Sequence, residues 1–110
     1  MSRKEFLGEF EQMVMLAVLR LGEQAYGVAI RREIERTARR QVSRGAVYAT
    51  LDRLEIKELM FSRFGDPTPE RGGKSKKYFL VTAQGLVCLK SSGAALSRMW
   101  DGLQPILGDL

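Results

Sequence analysis

The amino-acid sequence predicts a single α+β domain, mainly helical, built of three helices, a two-stranded β-hairpin and a C-terminal helix. Its 110 residues suit one modest hydrophobic core. Apolar residues recur three or four positions apart in the first half and the last third of the chain, which is typical of amphipathic helices. Between these parts, two short runs with β-strand character flank a loop rich in glycine, proline and lysine.

The first two helices are predicted from apolar spacing. Residues 7–21 have apolar residues at intervals of three or four, and Gly22 follows as a helix stop. A second helix is predicted over residues 26–36, with an apolar inner face and outward-facing arginines. Residues 37–41 are polar and basic with no apolar face, so we interpret them as a connection.

The third helix is predicted over residues 43–57, with Ser43 as its N-cap. At ~100° per residue its large apolar residues fall on one face within a narrow arc. Small residues occupy the opposite side near the N-terminus, which lets the helix axis approach a partner closely. Ile56 also points outward in this projection and needs cover from a neighbouring strand.

A β-hairpin is predicted after the third helix. Its strands are residues 59–64 and 78–81, and the connecting loop, residues 65–77, combines turn-forming residues with positive charge. Thr82 is then the predicted N-cap of a final helix that starts near Ala83.

Positive charge is concentrated in the middle of the chain. The formal net charge is +5, yet residues 31–77 contain 13 basic and 7 acidic residues, while the remainder carries a net charge of −1. Such a distribution fits either a locally biased solvated surface or a surface that meets a polyanion and releases its counterions. Charge alone does not distinguish DNA from RNA or an acidic membrane.

Composition argues against catalysis, a cofactor and a membrane span. The chain has no histidine, and its single cysteine, Cys88, cannot form an internal disulfide or a metal-ligand cluster. Phosphate-loop and nucleophile-elbow motifs are absent from the sequence. It also lacks a secretory signal and an apolar stretch of ~18–20 residues, so we expect a cytoplasmic protein that binds no cofactor.

Two short helices followed by a basic hairpin form a recognised arrangement for binding duplex DNA. A helix fits the major groove, while a hairpin tip reaches the adjacent backbone or the minor groove. In the third helix, Ser43, Arg44 and Tyr48 are suited to phosphates. We expect Arg53 to reach phosphate or a base edge, and its loss from a base edge would relax specificity at one position of the site.

Four segments of the sequence carry a family resemblance. They are Leu7-Gly8-Glu9-Phe10-Glu11, Tyr26-Gly27, residues 43–55, and residues 72–85. Together, in the expected order and over about residues 6–103, they resemble the PadR-like transcriptional regulators. The resemblance implies a bacterial winged helix-turn-helix regulator that dimerises through its C-terminal helix and usually represses a nearby promoter. One departure is Glu58, which stands where the family usually has glycine; a left-handed turn there would cost roughly 1 kcal/mol, which puts the turn geometry at residues 57–59 in question.

The candidate DNA-binding residues combine the third helix, the start of the second helix and the hairpin. The resemblance places Ser43, Arg44 and Tyr48 in the recognition helix, and Arg71 and Lys74 in the wing. The complete candidate set is Tyr26, Gly27, Ser43, Arg44, Ala46, Tyr48, Ala49, Arg53, Arg71, Lys74 and Lys76.

The last helix has a heptad-spaced apolar stripe, which indicates packing against another helix. The stripe favours a homodimer, because a two-fold pair contacts two half-sites whereas one recognition helix contacts few base pairs. The alternative is packing on the core of its own domain. Pro105 predicts that the regular helix ends near Leu103. The candidate dimer-interface residues are Leu86, Leu89, Gly93, Leu96, Trp100 and Leu103.

Trp100 and Cys88 each admit a second interpretation. A flat indole beside the small Gly93 is suited to stacking a planar small-molecule effector at the dimer interface, as in some relatives, although a tryptophan on an apolar stripe is more often part of a core. Cys88 is interpreted as a packing residue, because no basic neighbour in sequence is placed to lower its pKa.

The favoured hypothesis is therefore a repressor, associated with the nucleoid, that binds a palindromic operator in double-stranded DNA as a homodimer. In this hypothesis residues 1–82 form the DNA-binding domain, and residues 83–110 add the dimerisation helix and tail to the same compact unit. The alternative is a winged-helix module that binds another protein through its apolar stripe. An enzyme is a remote third hypothesis.

Overall fold

A computed structural model describes residues 6–66 and 75–108 of the chain. Within these ranges the fold is mainly helical with one antiparallel hairpin, which confirms the predicted fold class. A single 3-10 turn, Gly22–Gln24, follows the first helix. The elements, in chain order, are α1 (Glu9–Leu21), α2 (Gly27–Ala38), α3 (Arg44–Ile56), β1 (Met60–Phe64), β2 (Lys77–Val81), α4 (Ala83–Trp100) and α5 (Gln104–Leu107).

The hydrophobic core lies between α1, α2, α3 and the hairpin. The inner faces of the three helices meet there, with Val14, Ile30 and Leu51 fully buried. Met60 and Phe79 close the core from the two strands. Ile56, which required cover in the sequence analysis, receives none from the described residues, because 82% of it is exposed.

Two predicted caps define where helices begin. The Ser43 hydroxyl accepts a hydrogen bond from the Ala46 N–H at 3.0 Å, and α3 starts at the next residue. The Thr82 hydroxyl accepts from the Gly85 N–H at 2.9 Å and starts α4 in the same way. Both side chains satisfy N–H groups that have no partner within the helix.

Other helix boundaries differ from the predictions. Helix α1 begins at Glu9, because Gly8 is its extended N-cap and donates its N–H to Oε1 of Glu11 at 3.0 Å. The N–H of Leu7, before the cap, donates to the hydroxyl of Ser92 on α4 at 2.9 Å. Helix α2 continues to Ala38, two residues past its predicted end. Helix α4 ends at Trp100, not near Leu103, because the backbone of Asp101 is extended.

The hairpin is anchored to the start of α2. Its strands pair from Met60 opposite Val81 to Phe64 opposite Lys77. The N–H of Phe79 donates to the carbonyl of Ala25 at 2.8 Å, so the segment before α2 lies along β2. The predicted hairpin is confirmed, while most of its loop, including Arg71 and Lys74, lies outside the described residues.

Helix α3 ends in a left-handed turn at Glu58, whose φ is +61°. The N–H of Glu58 donates to the carbonyl of Glu55, and the N–H of Leu59 donates to that of Leu54, both at 2.9 Å. This paired pattern is the Schellman helix termination, in which glycine is favoured at the left-handed position. The chain therefore forms the left-handed turn although it has glutamate where the family usually has glycine.

The last part of the described chain is short and exposed. Helix α5 has Pro105 in its first turn, where proline's missing N–H costs no helical hydrogen bond. Among the described residues, no helix combines the length and the apolar character that crossing a bilayer requires.

Candidate nucleic-acid interface

Three sides of α3 are occupied by the protein itself. Val47, Leu51 and Leu54 are fully buried in the core. One flank faces α2 through Tyr48, and the opposite flank faces α1 through Arg53. The remaining side, which we call the free face, consists of the exposed residues Gly45, Ala49, Asp52 and Ile56. Ala46, another predicted site residue, is exposed beside it.

Tyr48 and Gly27 are packed into direct contact. Gly27 is buried at the first position of α2, and a Cβ atom built there would overlap the Tyr48 ring and hydroxyl. Only glycine therefore lets the Tyr48 ring cross the beginning of α2. The guanidinium of Arg44 lies 5.7 Å from the centroid of the same ring, within the range of a cation–π interaction.

Tyr26, the residue before Gly27, connects this contact to the hairpin. The ammonium of Lys76 lies 4.0 Å from the centroid of the Tyr26 ring. The ring of Tyr26 meets that of Tyr78 edge to face, with 5.9 Å between centroids, and the guanidinium of Arg63 lies 5.7 Å from the Tyr78 centroid. Aromatic rings thus hold three cations at defined places without neutralising them.

These contacts form a continuous surface that we call the aromatic–basic strip. It runs from the N-terminus of α3, across the N-terminus of α2, to the base of the hairpin, and it borders the free face at Tyr48. The strip consists of Arg44, Tyr48, Gly27, Tyr26, Lys76, Tyr78 and Arg63.

A cleft of about 220 Å³, lined by both basic residues and Glu35, lies beside one end of this strip. Arg31, Arg32 and Arg44 line it together with Tyr48. The Nε atom of Arg31 donates to the carbonyl of Val42 at 2.9 Å, which directs its side chain along the connection between α2 and α3. Guanidinium and phenol groups around a helix N-terminus are donors suited to phosphate oxygens.

Arg53 is held against α1, apart from the aromatic–basic strip. Its Nε atom lies 3.3 Å from Oε2 of Glu11, and Lys57 contacts the same oxygen at 3.2 Å. Burial raises the pKa of Glu11, but hydrogen bonds from the Gly8 N–H, Lys57 and Arg53 outweigh it and keep the pKa below its usual value. The geometry thus makes Arg53 a tie between α1 and α3.

The predicted dimer-interface residues divide into two groups. Leu89 is buried in the core of its own chain, at 8% exposure, so this side of α4 packs on α1. The other five predicted residues are exposed in the single chain, and we call the surface that they form the apolar face. Its members are Leu86, Gly93, Leu96, Trp100 and Leu103.

Trp100 borders a shallow apolar cavity of about 310 Å³ at the end of α4, shared with Met99, Leu103 and Leu107. Half of the Trp100 side chain is exposed there. Cys88, next to Leu89 on the side of α4 that faces the core, is buried as a free thiol.

The partners that hold the candidate residues in place are not apparent from the sequence. Glu11 lies 42 positions from Arg53, and Tyr78 lies 52 from Tyr26, so neither pair has a local sequence signal. Arg63 was detectable in principle, because β-strand alternation places it opposite Tyr78 in the hairpin register.

Three helices followed by a hairpin that packs on the first and third helices and pairs with the segment before the second define a winged helix-turn-helix domain, a class of DNA-binding folds. The family model described as the transcriptional regulator PadR-like family matches residues 15–91. The chain therefore belongs to the PadR-like family, which consists of transcription regulators and not of enzymes.

Solved structures of similar fold include several members of this family. A PadR family transcriptional regulator from Eggerthella lenta is 27% identical, with a TM-score of 0.68 over 93% of this chain and 88% of that one. A PadR-like regulator from Bacillus cereus is 19% identical, with a TM-score of 0.73 over 92% and 93%. A PadR-like transcription factor from Bacteroides fragilis is 24% identical, with a TM-score of 0.69 over 88% of each chain. Comparison with curated protein sequences gave no match.

Proposed function

We propose that this DNA-binding regulator is a sequence-specific repressor that binds a palindromic operator as a homodimer. In this proposal α3 enters the major groove, and the hairpin loop lies on the backbone or in the minor groove. The observation that carries it is the junction of the aromatic–basic strip with the free face of α3. Cations ordered by aromatic rings can contact phosphates on the rim of the groove that the slim helix enters.

The proposed dimer forms through the apolar face of α4. Four large apolar side chains on this face are 39–53% exposed in the single chain, and burial of apolar area favours association. A two-fold axis would place the two recognition helices on half-sites about one helical turn, ~34–36 Å, apart. Residues 1–82 would thus contact DNA, and residues 83–110 would provide dimerisation, with the cytoplasm and its nucleoid as the site of action.

Salt dependence of duplex binding tests the DNA proposal. Operators selected from a random duplex pool are titrated with the protein at several salt concentrations. Arg44→Ala and Lys76→Ala should each weaken binding to all sequences and lower the log–log salt slope by about one, because each removes one phosphate contact. Lys74→Ala tests the hairpin loop in the same way.

Lys90→Ala is the matched control, because Lys90 is an exposed lysine on α4, outside the aromatic–basic strip. Its salt slope should equal that of the unmodified protein. If the strip variants also keep the full slope, the proposed interface is wrong. Repression itself is tested with a promoter reporter carrying the selected operator, where transcription should fall when the protein is present.

The base-edge role expected for Arg53 is tested by Arg53→Ala. Relaxed preference at one position of each half-site, by about 1–3 kcal/mol, would support it. The contact with Glu11 favours the other outcome, a small loss of stability with unchanged sequence preference, which would reject the base-edge assignment.

The alternative, a module that binds another protein, is supported by the same apolar face. It predicts that the protein stays monomeric in solution and binds duplex DNA without sequence preference.

A planar effector stacking on Trp100 is a further proposal. It requires that Trp100→Ala abolish the effect of such a compound while folding and DNA affinity are retained.

A further inference from the structure

The free face of α3 has a single hydrogen-bonding side chain. At ~100° per residue, Gly45, Ala49, Asp52 and Ile56 lie within about 60° of one another on the side opposite the core. Gly45 has no side chain, and Ala49 and Ile56 have only apolar ones. Asp52 is therefore the one residue of this face whose side chain can form a hydrogen bond with a partner that α3 meets.

The neighbouring contacts leave the Asp52 carboxylate available. Arg53, the next residue, turns to Glu11 on α1, while Tyr48 turns to Gly27 on α2. Asp52 is exposed, and within the described ranges its carboxylate makes no hydrogen bond or ion pair with another residue. Space around it is open toward the N-terminus of the helix, because a Cβ atom added at Gly45 would meet nothing within 4 Å.

A carboxylate on such a face can discriminate between bases, because it accepts hydrogen bonds and donates none. In the major groove, the base-edge donors are the N4 amino group of cytosine and the N6 amino group of adenine. Adenine presents its N7 acceptor beside that donor, and the second carboxylate oxygen would be repelled there. Cytosine presents the amino group without an adjacent acceptor on its own edge, so it is the better partner.

We propose that Asp52 determines base specificity by accepting a hydrogen bond from the N4 amino group of a cytosine in each half-site. The inference rests on the proposed function, since it requires the free face of α3 to lie in the major groove. The short aspartate side chain reaches a base only if the helix comes close, which Gly45 and Ala49 permit. Elsewhere along the duplex, the carboxylate meets phosphates or acceptor atoms and disfavours binding.

The experiment compares the operators that variants select from one random duplex pool. Asp52→Asn keeps the shape of the side chain but adds a donor, and an amide pairs with both N6 and N7 of adenine. The selected base should therefore change from cytosine to adenine at one position per half-site. At that position, the unmodified protein should discriminate against adenine by on the order of 10- to 100-fold, corresponding to about 1.4–2.7 kcal/mol.

Asp52→Ala and Asp101→Asn complete the design. Asp52→Ala should select any base at that position, and it should bind unrelated duplexes more tightly because it lacks the repelling charge. Asp101→Asn removes the same charge from an exposed carboxylate beyond the end of α4, so its selected operator should be unchanged. Circular dichroism checks that the folded state is retained in each variant.

Two results overturn the inference, and they differ in what else they reject. If the unmodified protein selects an operator but both Asp52 variants select the same bases throughout, Asp52 contacts no base while the proposed DNA-binding function stands. If the unmodified protein selects no sequence at all, the proposed function and the inference fail together.

Discussion

The aromatic–basic strip and the apolar face of α4 differ in whether contacts within the chain hold their side chains. In the strip, each charged or polar group is positioned by a contact within the same chain, such as Lys76 on Tyr26 or Tyr48 on Gly27. On the apolar face, large side chains such as Leu96 and Trp100 stand about half exposed. The contacts of the strip are complete within one chain, whereas the apolar face is left uncovered by the described residues of its own chain.

In the proposed function, this difference gives the two surfaces separate physical tasks. Preordered cations lose little side-chain freedom when they meet phosphate, so the strip can provide affinity at a low entropic cost. The apolar face contributes mainly through the area it buries on association. Variants of the two surfaces should therefore fail in different ways, which the following predictions exploit in order of decreasing effect.

Leu96→Asp should have the largest effect, because it places a charge in the middle of the apolar face. We expect a monomer by light scattering and at least a 100-fold loss of operator affinity, since one half-site contributes far less than two. Ala94→Asp is the control, because Ala94 is exposed on the polar side of α4 beside Lys90 and Arg98. Equal loss of affinity in both variants would contradict the assignment of the dimer interface.

Gly27→Ala tests whether the strip depends on packing within the chain. The added methyl group would overlap the Tyr48 ring, so we expect destabilisation by about 1–3 kcal/mol in urea unfolding together with weaker DNA binding. Gly45→Ala is the matched control for stability, because its methyl group meets no atom within 4 Å and alanine favours a helix. If Gly27→Ala and Gly45→Ala have the same free energy of unfolding, the Tyr48 ring can move aside without destabilising the protein.

Glu58→Gly should stabilise the protein without changing either surface. The left-handed conformation of Glu58 is strained for a residue with a Cβ atom, so glycine should raise the free energy of unfolding by about 1 kcal/mol. Thermal unfolding measures the gain, while dimerisation and the salt slope of DNA binding should stay constant. A lower free energy of unfolding would indicate that the Glu58 side chain stabilises the folded protein by more than its left-handed backbone destabilises it.

The acid sensitivity of Glu33 gives the smallest predicted effect. Hydrogen bonds from Arg36, Arg20 and Thr37 lower the pKa of Glu33 from 4.5 to about 2. Because the folded-state pKa is depressed, this stabilisation is complete above about pH 4.5 and is lost as the pH falls toward 2. Glu33→Gln should reduce proton uptake on unfolding in this range by up to about one proton, measured from stability against pH.

Local signals in the sequence were sufficient to predict most of the fold. Ser43 and Thr82 were correctly predicted as N-caps because a cap depends only on residues within one helical turn. The start of α1 at Glu9 was missed although its cap is also local, because Gly8 has no side chain that marks it as an N-cap and its N–H is held by Glu11, three positions along. The hydrogen bond from Leu7 to Ser92 has no local signal, because it joins residues 85 positions apart.

The candidate site was harder to predict than the fold. Helical projection places Arg53 and Asp52 on outward parts of α3, but it contains no information about which neighbour each side chain meets. Glu11 draws Arg53 toward α1, and only the assembled structure reveals that contact. The sequence prediction chose Arg53 because DNA is negatively charged, yet it is the acidic Asp52 that lies on the free face.

The contact between Gly27 and Tyr48 has a consequence for how this regulator can change over time. A larger residue at position 27 becomes tolerable only after position 48 loses its ring, and a smaller residue at 48 leaves a void above glycine. Each intermediate carries a defect that the second change repairs. We therefore expect the two positions to vary as a pair among descendants of this protein, and randomising both together should recover stably folded combinations that neither single library contains.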